Sequence, residues 1–113
     1  MTKRALSEYL DDILAAIADI EAFTDGIDFN EFRENREKVL AVVKSIEILG
    51  EATKKIPDEV RRAHPQVAWR SITGMRDMLV HEYWGIDMAV VWSTVEEGIP
   101  SLKAVIMEIK RSV

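Results

Sequence analysis

Arg76 and His81, five residues apart, are the pair in this chain whose types suit chemistry on a phosphodiester. The arginine is a permanent cation with a planar fork that matches phosphate oxygens. The histidine exchanges a proton near neutral pH. One group moves protons while the other stabilises the negative charge that builds on the transferring phosphorus. RNA carries its own nucleophile in the 2′-hydroxyl, so no nucleophile is required of the protein. Asp77 stands beside Arg76 and can accept a hydrogen bond from a guanidinium or an imidazole. Tyr83 adds a phenol that can position a ligand or be modified.

The spacing is awkward for a single helix. Residues five apart lie about 140° around an ideal α-helix, so Arg76 and His81 do not share a face. Residues seven apart nearly eclipse, which aligns Arg76 with Tyr83. A convergent site is easier to build if helices from two subunits meet, a geometric reason to expect a homodimer with a shared cleft. Taken alone, an Arg-x4-His pattern is weak. It also describes an exposed arginine and a histidine at a helix C-terminus, where a cation is favoured.

The scaffold that must position these residues reads as helix throughout. The chain has 113 residues, enough for one domain over residues 1–113 with one core. In the first segment, from about Lys3 to Thr24, Leu6, Leu10, Ile13, Ile17 and Ile20 recur at helical spacing. Asp25-Gly26 ends it in a turn. A second helix starts near Asp28 or Asn30 and runs to Lys55, with room for a break near Glu34; Pro57 stops it. Gly50 lies inside that pattern, at a cost of about 1 kcal/mol against alanine in an exposed helix. A close helix–helix contact at Gly50 is the simplest compensation. It would bring Glu51 into the bundle or to its rim, near the central helix.

A short helix from Pro57 to His64 follows, and Pro65 ends it. The helix carrying Arg76 begins near Val67 or Ala68, with Ile72, Met75 and Leu79 as its core stripe and Trp69 and Met78 on its shoulders. Asp87 can cap a last helix through Met88, Val91, Trp92 and Val95, which Pro100 kinks or divides. These four or five helices, joined by short loops, predict an all-α, up-and-down bundle.

Composition narrows the function classes. There is no apolar run of membrane-spanning length and no signal-peptide pattern at the N-terminus. The chain has no cysteine, which excludes disulfides and thiolate metal sites and agrees with a cytoplasmic setting. Its two histidines, His64 and His81, have no carboxylate spacing that would make a zinc site, so no metal is expected. The net charge of −5 argues against broad, non-specific adhesion to nucleic acid. Lys54-Lys55 and Arg61-Arg62 read as solvated helix surface that could contact a polyanion.

Several longer words carry a resemblance. They are Ile48-Leu49-Gly50-Glu51-Ala52, Pro65-Gln66-Val67-Ala68-Trp69, Gly74-Met75-Arg76-Asp77, Leu79-Val80-His81-Glu82-Tyr83, and the downstream Ile86-Asp87 and Val91-Trp92. With them the chain resembles the HepT-like branch of the HEPN superfamily, small helical proteins of bacteria and archaea, over nearly its whole length. Arg76, His81 and Tyr83 match that branch's Arg-x4-His-x-Tyr signature. The resemblance implies a homodimeric bundle acting as a metal-independent endoribonuclease without a cofactor, the toxin of a type VII (HEPN/MNT) toxin–antitoxin pair. Arg76 and His81 would be catalytic, with Asp77 matching the polar residue common after the arginine; the packing expected at Gly50 adds Glu51 as a supporting residue. The antitoxin would be a minimal nucleotidyltransferase that transfers AMP from ATP to Tyr83 and silences the toxin. A second reading stays open: a non-catalytic dimer that partners the nucleotidyltransferase or binds nucleotide, with Arg76 and His81 merely holding phosphate.

Overall fold

The computed structural model describes residues 4–81, 85 and 87–113. Among these residues every regular element is helical: α1 Leu6–Thr24, α2 Phe29–Glu34, α3 Arg36–Thr53, α4 Asp58–Arg62, α5 Trp69–His81, α6 Met88–Ser93 and α7 Ile99–Arg111. The all-α bundle expected from the periodicity is therefore present. Two expected helices are each divided, and local chemistry accounts for both breaks.

The first break is at Asn35. Asp28 caps α2 by accepting the Glu31 N–H at 2.8 Å, and the Glu31 carboxylate accepts the Asp28 N–H at 3.2 Å. This reciprocal box satisfies donors that a helix start leaves open. Asn35 then ends α2 and caps α3, its side chain accepting the Lys38 N–H at 3.1 Å. An amide that bonds its own backbone competes with helical pairing, which is why the rod bends here.

The second break precedes Pro100. A proline has no N–H to donate, and its ring collides with the carbonyl four residues back. The chain answers with a π-helical turn over Thr94–Gly98, in which the Ile99 N–H bonds the Thr94 carbonyl five residues back. Asp87 caps α6 as expected, accepting the Ala89 N–H at 2.8 Å.

Helix α3 is the central element, packed between α1 and α5, while α7 closes the other side of α1. The core joins Leu10, Ile13, Ile17 and Ile20 of α1 to Val42, Ile46 and Leu49 of α3, Ile72, Met75 and Leu79 of α5, and Leu102, Val105 and Ile106 of α7. Each such side chain contributes about 1.5–3 kcal/mol by leaving water. The expected shoulders, Trp69 and Met78, are half-buried. A smaller aromatic group ties α2 to α6, with the Phe32 and Trp92 rings 5.0 Å apart. No described helix is long and apolar enough to cross a membrane.

Candidate active site

Arg76 sits in the middle of α5, where its Cα and Cβ press against Gly50 of α3. Glycine is required at that point. A methyl group on Gly50 would collide with the Cβ and Cγ of Arg76, atoms too close to the α5 backbone to swing aside. The close approach expected at Gly50 thus exists, and its partner is the arginine itself.

The guanidinium is steered by two carboxylates. One terminal nitrogen lies 3.0 Å from Glu51 and the other 3.1 Å from Asp77. Its Nε is buried and donates to no group among the described residues. A guanidinium has five N–H donors, so both terminal nitrogens keep a donor for a ligand. Lys54, one helical turn beyond Gly50, reaches Asp77 at 2.5 Å. The Lys54 ammonium, and after it the Arg76 guanidinium, hold the Asp77 carboxyl below the usual carboxylate range. Pairs this exposed contribute little to stability; their effect is to fix where the guanidinium points.

Arg76 lines a cleft of about 380 Å³ between α1, α3 and α5. The cleft also takes in Tyr9, Lys44, Glu51, Lys55 and Val80. Glu51 is at its rim with half of its side chain exposed. His81 lies in the last turn of α5, exposed and not among the cleft-lining residues. Because α5 is unbroken from Trp69 to His81, the 140° offset between Arg76 and His81 persists in the fold. The structure brings Arg76, Asp77 and Glu51 together within one chain and leaves His81 on another face. Tyr83 lies outside the described residues. Among the described residues, no three His, Asp or Glu side chains gather where they could hold a metal ion.

The ribonuclease HepT-like family matches residues 13–109, most of the chain and all of this cleft's central helices. The chain belongs to that family. A protein of Thermococcus cleftensis named as a probable ribonuclease HepT is 48% identical over 101 residues, covering 89% of this chain and 92% of the relative. A Methanocaldococcus jannaschii protein named as a candidate RNase is 41% identical over 103 residues, covering 91% of this chain and 89% of the relative. Another so named, from Caldanaerobacter subterraneus, is 40% identical over 101 residues, covering 89% and 90%. No solved structure matches the chain. Within the matched residues, α5 is packed against α3.

The places of two residues near Arg76 are not legible from the sequence. Lys54 reads there as solvated surface, yet it binds Asp77. The signal was available: Gly50 and Lys54 are four apart, so a helix that touches α5 at Gly50 offers Lys54 to the next turn. Tyr9 belongs to none of the sequence motifs. It lines the Arg76 cleft, and the Arg4 guanidinium lies over its ring at 4.7 Å. No spacing rule links position 9 to position 76, because only the packing of α1 beside α3 brings them to one groove.

The glycine contact gives a direct test. In an open helix, Gly→Ala gains about 1 kcal/mol. At Gly50 the added methyl must push α5 away, and overpacking of this kind costs about 1–3 kcal/mol. The net loss, up to about 2 kcal/mol, should lower the melting temperature of Gly50→Ala by up to about 8 °C, at roughly 4 °C per kcal/mol. Gly74 on α5 has nothing within 4 Å of an added Cβ, so Gly74→Ala should raise it. Thermal unfolding followed by circular dichroism reads both, and a Gly50→Ala protein as stable as Gly74→Ala would refute the contact.

Proposed function

We propose that this chain is an endoribonuclease toxin of the type VII kind, acting as a homodimer and silenced by a nucleotidyltransferase antitoxin. The observation that carries the reading is Arg76, oriented by Glu51 and Asp77 at a cleft, in a chain of the ribonuclease HepT-like family. The imidazole of His81 takes the proton of the RNA 2′-hydroxyl as its oxygen attacks phosphorus. The P–O5′ bond breaks, and the leaving oxygen takes a proton from solvent water, to which the imidazolium later returns its own. Arg76 stabilises the charge on the non-bridging oxygens. The products are a 2′,3′-cyclic phosphate and a 5′-hydroxyl. Asp77 and Glu51 hold the guanidinium fork, and Lys54 balances the charge of Asp77.

This route uses only the chain's own side chains and the substrate's hydroxyl. Purified protein should cleave single-stranded RNA in excess EDTA and leave cyclic phosphate ends, read by mass spectrometry of the fragments. Activity lost in EDTA and restored by magnesium would overturn the route. Protein that binds RNA and never cleaves it would favour the non-catalytic reading, which the separation of His81 from Arg76 within one chain also suits.

The homodimer rests on that same separation. Ile48 and Val80 line the Arg76 cleft and are 47% and 44% exposed, although both are large apolar side chains. A second copy seated over this α3–α5 face would cover them and bring its His81 toward the first copy's Arg76. Light scattering at micromolar concentration should report a dimer. An Ile48→Glu and Val80→Glu double variant should be a helical monomer without nuclease activity. A wild-type protein that is monomeric in this measurement removes the shared site.

A further inference from the structure

One stretch of this acidic chain is net basic. Residues 54–76 carry six lysines and arginines against two carboxylates, a net +4. The rest of the chain is then at −9, since the whole is −5. The fold gives much of this stretch one surface. Arg61 and Arg62 of α4 and Arg70 of α5 line a single open groove of about 790 Å³, with Trp69 in its wall. Arg61 is paired with Asp58. Arg62 and Arg70 are exposed and make no ion pair among the described residues. The indole N–H of Trp69 donates to the His64 carbonyl at 2.9 Å, which pins the half-buried ring at the groove. Cations beside a fixed aromatic face are the arrangement that tracks a single-stranded nucleic acid, by pairing with phosphates and stacking a base.

We propose that this groove holds the backbone of the RNA outside the scissile bond, through Arg62 and Arg70 with Trp69 beside them. Arg70 is six residues before Arg76 on the same helix, about 9 Å along its axis and about 120° around it, so the groove adjoins the cleft on a neighbouring face. Lys55, two residues past the end of α3, lines the Arg76 cleft, and α4 begins three residues later. A strand leaving the cleft along this stretch meets cations, while elsewhere it meets net negative charge. The groove thus supplies the affinity for a polyanion that the overall charge of −5 would deny. The proposal rests on the ribonuclease reading for its ligand, and it concerns residues outside the cleavage site.

The test uses the full chain with His81→Ala, to suppress cleavage, and a short mixed-sequence single-stranded RNA carrying a fluorophore. Adding Arg62→Glu and Arg70→Glu should weaken binding roughly tenfold or more at physiological salt. The slope of log affinity against log salt should fall by about 0.7 for each phosphate that no longer meets a cation. Reversing Arg36 and Arg111 to Glu instead gives the same net charge and should leave affinity within about twofold, because those residues lie elsewhere. With His81 restored, the groove variant should cleave with raised KM and unchanged kcat. Equal weakening by both double variants would mean a net-charge effect and overturn the groove. Unchanged RNA affinity would also overturn it, including the case in which the groove serves an acidic protein instead. Wild-type protein that binds RNA through the groove but does not cleave would sink the ribonuclease reading alone.

Discussion

His81→Ala and Arg76→Ala should each lower RNA cleavage by orders of magnitude while leaving the helical signal intact. General acid–base catalysis by a placed side chain is worth about 10²–10⁴-fold. Removing a donor from the developing oxyanion costs about 10²–10³-fold. The two losses differ in their side effects. His81 is exposed in the last turn of α5, so its removal touches chemistry and little else. Arg76 is packed on Gly50 and paired with Glu51 and Asp77, so its removal also leaves two carboxylates facing each other's charge. Arg76→Lys keeps the cation but loses the fork that spans both carboxylates, and should remain deeply impaired. A dimer mixing Arg76→Ala chains with His81→Ala chains tests the shared cleft, since one of its two sites regains both residues. Single-turnover cleavage and far-ultraviolet circular dichroism on the same preparations decide the matter. A His81→Ala protein of full activity would remove histidine from the mechanism.

Tyr83→Phe should keep most of the nuclease activity and escape silencing by the antitoxin altogether. In the proposed modification the phenol oxygen attacks the α-phosphorus of ATP, pyrophosphate leaves, and the phenol loses its proton. The adduct places a phosphodiester anion two residues beyond His81 in the chain. That anion can pair with a cation meant for the RNA phosphate, and so block the site by occupation. Phenylalanine has no oxygen to modify and nearly the same shape. Tyr9 is the other tyrosine, and it lines the Arg76 cleft, so position near arginine does not single out Tyr83. The Tyr9 ring is half-buried on α1 beneath Arg4, which disfavours it as an acceptor. After incubation with the nucleotidyltransferase and ATP, mass spectrometry should find AMP on Tyr83 and none on Tyr9. An adduct on Tyr9, or a Tyr83→Phe toxin still neutralised by the enzyme's catalysis, would defeat this assignment.

The sequence by itself determined the helices and their inward faces. Apolar residues at spacings of three and four define the stripe of α1 from Leu10 to Ile20, because the α-helical period is a local property. Asp28 and Asp87 mark helix starts for a similarly local reason, as their side chains bond donors two or three residues on. Gly50 marked a close contact, since a mid-helix glycine is costly without one. The identity of the partner was beyond local reading: α3 had to be laid against α5 before Gly50 met Arg76 and Lys54 met Asp77. Tyr9 joins the cleft for the same reason, through a helix distant in sequence. The offset of Arg76 and His81 was legible as an angle on a helix. Only the packed bundle decided that Arg76 turns inward to two carboxylates while His81 stays in solvent, because that choice depends on which face of α5 the core covers.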